Sequence, residues 1–142
     1  MKFTNTTGNN YLPWIIFFAG IKFLLHLGVN AFGGYGIFRD ELYYYACTLR
    51  PAIGYVDQPP LSVWILGVIT LVFGKSVFAM RLVPALFGAL ALLPIAGSVR
   101  LLGGGKKAFI IAAMAFILSP IYLAYCTYYS RNSIDILLWS TA

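Results

Sequence analysis

Residues 61–73 read LSVWILGVITLVF. The run is uncharged and apolar throughout, yet it has only about 13 residues where a bilayer-spanning helix takes about 20. Whether it crosses or lies along a membrane decides the side on which its neighbours are placed. The surrounding chain is 61% hydrophobic and 10% charged, with a mean hydropathy of +0.83. A soluble domain carries about 25% charged residues, so the composition marks an integral membrane protein. The formal net charge of +6 does not indicate nucleic acid, because the ten basic residues are scattered between apolar runs and form no stripe.

Outward from residues 61–73, the spans follow from length. Leu12–Phe32 is a first full crossing, with Tyr11 and Trp14 as interfacial anchors. Residues 76–102 make a second, long enough to tilt and bent by Pro84 and Pro94. Residues 108–129 make a third, with Ser119-Pro120 inside it, and residues 134–142 begin a fourth. The expected architecture is an all-α polytopic membrane protein of three complete transmembrane helices plus part of a fourth. Residues 33–75 form an external loop with short juxtamembrane helices. No cleavable leader is expected, because the apolar stretch after residues 1–10 is long for a signal core.

Orientation follows from charge. Arg100, Lys106 and Lys107 flank a triple-glycine turn at residues 103–105, which belongs inside with residues 1–11. If residues 61–73 crossed, this turn would lie outside and violate the positive-inside rule. If they lie along the outer interface, Asp40, Glu41, Asp57 and Asp135 all share the outer face. These are all four acidic residues of the chain. The aromatic cluster Tyr122, Tyr125, Tyr128 and Tyr129 then reads as an interfacial belt. Lys22, His26 and Asn30, four residues apart, form a polar stripe on the first span that should face protein rather than lipid.

Chemistry is concentrated in the external loop. Carboxylates beside a bilayer are costly and rarely idle. Asp40 opens a short helix over residues 40–49, stopped before Pro51, and residues 53–60 read as extended. A carboxylate beside a substrate hydroxyl is a general base. Asp57 can meet Asp40 or Glu41 across the loop, and the set can hydrogen-bond a sugar, hold a divalent cation or share a proton. The blander alternative makes Asp40 a helix cap and Asp57 a turn residue. Arg39, Arg81 and Arg131 fall on the same side, and guanidinium groups suit phosphate. There is no phosphate loop, dinucleotide fingerprint or zinc-helix motif. The single histidine, His26, lies within a span, which excludes a serine-hydrolase triad. Cys47 and Cys126 have no metal or redox spacing and read as apolar thiols.

Three stretches in this order are specific: residues 38–44 (FRDELYY), 54–61 (GYVDQPPL) and 78–85 (FAMRLVPA). Together they resemble the N-terminal part of the polytopic glycosyltransferases of GT-C fold, in the protein O-mannosyltransferase and lipid A aminoarabinose transferase superfamily. The resemblance implies transfer of a sugar from a polyprenyl-phosphate donor, usually with inversion, to a lipid, glycan or protein acceptor. The implied place is the outer, periplasmic side of the plasma (inner) membrane, with membrane lipid around the chain and no nucleic acid partner. It casts Asp40 as catalytic base and Glu41 as the second member of the catalytic acidic pair, supporting the loop. Asp57, Gln58, Tyr44, Arg81 and Arg131 become substrate contacts, Arg81 and Arg131 for the departing phosphate; Asp135, which the family pattern does not settle, joins them as a supporting substrate contact because topology puts it on the same outer face. It commits the chain to no metal, although a divalent cation is compatible with Asp57. Members of this superfamily have many more membrane helices, so the resemblance implies the N-terminal portion of a larger protein, inactive alone. The competing readings are a non-catalytic small membrane protein, flippase-like or an assembly subunit, and an ion-coupled transporter. The latter would want its carboxylates at mid-membrane.

Overall fold

The computed structural model describes residues 11–142, and among them helix is the only regular structure. The expected cytoplasmic segment lies, but for Tyr11, outside the described residues. The helices are α1 (Leu12–Phe32), α2 (Arg39–Thr48), α3 (Pro60–Phe73), α4 (Val77–Leu90), α5 (Leu92–Leu101), α6 (Lys106–Leu118), α7 (Pro120–Tyr125) and α8 (Arg131–Thr141). Residues 49–59, expected to be extended in part, are irregular and form no strand.

Among the described residues two helices are long and apolar enough to cross a membrane: α1, and the α4–α5 pair taken together over Val77–Leu101. Prolines interrupt the second and third expected spans. Ser119 precedes Pro120 and is driven out of the α region, to φ −65° and ψ 122°. The third apolar stretch therefore divides into α6 and α7. In the second, Pro94 has no N–H for the Leu90 carbonyl, and the helix breaks at Ala91. Pro84 is carried within α4.

α3 spans fourteen residues, close to the expected limits. Pro60 opens it, where a missing N–H costs nothing, and Gly74 closes it at φ 77°, a conformation that favours glycine. Val63 and Leu66 are buried against α2 and α4, while Leu71, Val72 and Phe73 stay exposed.

α1 packs along α4. The polar stripe does face protein: Lys22 and His26 have no exposed surface. Lys22 Nζ sits over the Phe116 ring, 4.7 Å from its centroid, and His26 Nδ1 lies 3.2 Å from the Thr127 hydroxyl. The lipid side of α1 is left to Ile16, Phe17, Leu24 and Phe32, all exposed. Two apolar cores flank the stripe. One joins Phe18, Leu92, Phe109, Ala113 and Phe116. The other joins Tyr44, Val63, Leu66, Met80, Val83 and Tyr129. Beside the first core, the Tyr11 hydroxyl donates to the Gly104 carbonyl and Lys106 covers the Trp14 ring at 4.0 Å. The start of α1 and the glycine turn therefore share one end of the bundle.

Candidate functional site

At the second core the chain enters α2 through Phe38, extended at φ −81° and ψ 152°. Phe38 has no side-chain acceptor, so the exposed N–H groups of the first turn need one from elsewhere. Glu41 supplies it. Its Oε2 accepts the Phe38 N–H at 2.8 Å, the backward half of a capping box. The helix cap offered as an alternative role for Asp40 thus belongs to Glu41. Asp40 is left in the first turn with its side chain 42% exposed and Arg39 at 3.7 Å, an open ion pair of little energetic weight.

Glu41 has no exposed surface. Besides the Phe38 N–H it accepts Arg81 Nε at 2.8 Å, Arg81 Nη2 at 2.7 Å and the Tyr129 N–H at 2.9 Å. Burial alone would raise its pKa, but these hydrogen bonds and the Arg81 charge outweigh it and hold the carboxyl below its ordinary value of 4.5. Arg81 is equally committed, donating also to the Tyr35 carbonyl at 3.2 Å and the Gly36 carbonyl at 2.8 Å. One ion pair therefore ties the loop before α2, α2 itself, α4 and the turn before α8. The phosphate role expected for Arg81 has no support in this geometry, because its guanidinium is buried and occupied.

That turn carries a second correction. Tyr129 was expected in an interfacial belt, but it is fully buried, with its hydroxyl donating to the Ser62 carbonyl. A phenol whose oxygen finds a backbone acceptor inside the protein has no need of the membrane interface. Tyr128 stacks on Phe38 and Tyr122 on Phe116, both at under 5 Å between centroids.

Above this hub lies an open cavity of about 470 Å³. It is lined by Arg39, Asp40, Tyr43, Tyr44, Asp57, Gln58 and the residues 130–132 that open α8. Five expected site residues meet there: Asp40, Tyr44, Asp57, Gln58 and Arg131. Glu41 and Arg81 lie beneath it and do not line it. Asp135, one turn beyond Arg131 on α8, is half-buried and does not line it. Tyr43, Ser130 and Asn132 were not expected. For Tyr43 a signal existed, since helical spacing places it on the face of Asp40.

The cavity is internally braced. The Tyr43 hydroxyl donates to Asp57 Oδ1 at 2.6 Å. That hydrogen bond to a carboxylate pushes the phenol up to about 12, so Tyr43 is a donor at any working pH. Tyr44 is buried, which raises its pKa as well; its hydroxyl accepts the Arg131 N–H at 3.1 Å. Arg131 Nη1 donates to the Asp57 carbonyl at 3.3 Å. The start of α8 is thereby pinned to the loop before α3. Asp40 and Asp57 are the carboxylates here, and among the described residues no three His, Cys, Asp or Glu side chains are gathered as a metal ligand set. Cys47 and Cys126 are both free thiols.

The sequence model of the dolichyl-phosphate-mannose-protein mannosyltransferase family matches residues 57–142, more than half of the chain. The matched region includes Asp57, Gln58, Arg81, Arg131 and Asp135, while Asp40, Glu41 and Tyr44 precede it. No curated protein and no solved structure matches the chain significantly.

Proposed function

The chain belongs to the dolichyl-phosphate-mannose-protein mannosyltransferase family, and from that premise we propose that the cavity at α2, α3 and α8 is a glycosyl-transfer site facing the outer side of the membrane. The family supports glycosyltransferase activity of the GT-C type. The donor in this reading is a sugar on a polyprenyl phosphate, and Asp40 is the general base. It takes the proton from an acceptor hydroxyl as that oxygen bonds to the anomeric carbon. The bond between that carbon and the phosphate oxygen breaks, and the lipid phosphate leaves with the electron pair. Positive charge must meet the departing anion. Arg131 suits that part, since Arg81 is engaged by Glu41.

The observation that carries this reading is that Asp40, distant in sequence from Asp57 and Arg131, lines one cavity with them while its partner Glu41 is withdrawn into the protein. An exposed carboxylate with no structural duty is free to move a proton. The further parts of the proposal are three complete spans with the start of a fourth, and a plasma-membrane location. In this arrangement α6 and α7 cross as one broken span.

Asp40→Asn keeps shape and hydrogen bonding but cannot take the proton. Sugar transfer in membranes carrying the variant within the full-length enzyme should fall by about 10²–10⁴-fold, the range for a removed general base. Insertion and abundance should stay unchanged. Transfer at the wild-type rate would remove Asp40 from the role. It would favour a non-catalytic membrane subunit if Asp57→Asn were silent as well.

A further inference from the structure

The cavity contains a feature that the general-base reading does not use. Ser130 lines it, is only 3% exposed, and has an Oγ with no hydrogen-bond partner. Ser130 is also the residue before α8, extended at φ −157° and ψ 168°, and its side chain does not cap the helix. Gln58 lines the same cavity, and its Nε2 is likewise buried and unpartnered. A buried donor left unmade is destabilising, so two of them bordering one cavity point to a ligand that accepts hydrogen bonds.

The charge of the surroundings says what kind. Arg39 and Arg131 offset Asp40 and Asp57, so the lining side chains sum to no net charge. Asp57 is further satisfied by Tyr43 at its carboxylate and by Arg131 at its carbonyl. What remains is directional: the first-turn N–H groups of an eleven-residue helix beyond that of Arg131, which Tyr44 accepts, its positive dipole end, a free hydroxyl and a free amide N–H. A helix N-terminus with such donors suits a phosphate oxyanion.

We infer that Ser130, Gln58 and the N-terminal turn of α8 form a seat for a phosphate oxyanion, with Arg131 at its side. Resting on the transfer reading, the phosphate is that of the lipid donor. Ser130 is then a binding residue that receives charge as the sugar–phosphate bond breaks. Asp40, in the first turn of a different helix, works on the acceptor.

The test is binding, and needs no turnover. Farnesyl phosphate, farnesol, inorganic phosphate and phosphatidylglycerol vesicles are titrated against the purified membrane protein and against Ser130→Ala, Ser130→Thr and Gln58→Leu. Farnesyl phosphate should bind about 5–30-fold more weakly to Ser130→Ala and Gln58→Leu, and near normally to Ser130→Thr, which keeps the hydroxyl. Farnesol should show no such difference. Competition by inorganic phosphate that Ser130→Ala weakens supports the seat with phosphate itself as ligand. Competition by phosphatidylglycerol alone would overturn it. So would an unchanged dissociation constant in Ser130→Ala, whose side chain makes no cap and whose loss should not unfold α8. If Asp40→Asn retains transfer while Ser130→Ala loses farnesyl phosphate, the seat stands and the base fails. The opposite pair of results leaves the base and removes the seat.

Discussion

Glu41 and Arg81 stand forty residues apart and neither has appreciable exposure. Their pairing decides what each can do, because a buried carboxylate holding four hydrogen bonds is not available to a substrate. Removing one partner of such a pair leaves an uncompensated buried charge and costs about 3–5 kcal/mol. Arg81→Leu should therefore lower the melting temperature in detergent sharply. Arg81→Leu with Glu41→Leu should recover part of the loss, which a double-mutant cycle measures. The same pair makes an acid-labile joint. With the folded pKa of Glu41 below its unfolded value of 4.5, its contribution is fully present above pH 4.5 and is lost as pH falls through the folded value. Melting temperature followed from pH 7 to 3 should drop more steeply in wild type than in Glu41→Gln; parallel curves would contradict the joint. At this scale the sequence shows that Asp40 and Glu41 are neighbours but not that they diverge. The burial of Glu41 depends on an arginine in another helix. One signal was available: an arginine inside an apolar span needs an anion, and only four acids exist to supply it. Ser130 carries no such mark, because a serine before a helix ordinarily reads as its cap.

Helix limits were legible wherever a proline or glycine set them, as at Pro60 and Gly74 for α3, and wherever apolar length did, as in α1. The interruptions at Ala91 and Ser119 are also proline effects. Their outcomes differ: α4 and α5 together still reach the length of a span, whereas the break at Ser119 leaves α6 and α7 each too short. The close approach of α4 to Cys126, at the end of α7, was not legible, since it turns on the absence of one carbon. A Cβ on Gly88 would lie 2.6 Å from Cys126 Sγ, 3.0 Å from Cys126 Cβ and 3.4 Å from Lys22 Cε. Gly88→Ala gains about 1 kcal/mol of helix propensity, but overpacking costs about 1–3 kcal/mol, so the clash should win. The variant should melt lower than wild type, and adding Cys126→Ala, which removes the nearest atom, should restore part of the difference. A Gly88→Ala protein at least as stable as wild type would show that α4 and Cys126 can move apart without loss.

For the whole molecule, the controlling question is still residues 61–73. At 1.5 Å per residue, the fourteen residues of α3 reach about 21 Å, short of the roughly 30 Å hydrocarbon layer. α3 is also held on one face by α2 and α4, to which it contributes Val63 and Leu66. In the proposed topology such a helix lies along the interface, and the chain then crosses once between residue 32 and the glycine turn instead of twice. Single cysteines decide it. With Cys47 replaced by serine and Cys126 buried, cysteine is introduced at Ile53 or at Leu102, which are 89% and 87% exposed. Ile53→Cys should react with a membrane-impermeant maleimide added outside intact cells. Leu102→Cys should react only after the membrane is opened. If both label from the same side, α3 crosses, the positive turn and the acidic cavity share a face, and Asp40 cannot serve an outer-face transfer with this topology. Opposite labelling puts Asp40, Asp57 and Arg131 on the side where Arg100, Lys106 and Lys107 are not. That separation lets an acidic base and a phosphate seat work together without a cytoplasmic basic loop competing for the lipid anion.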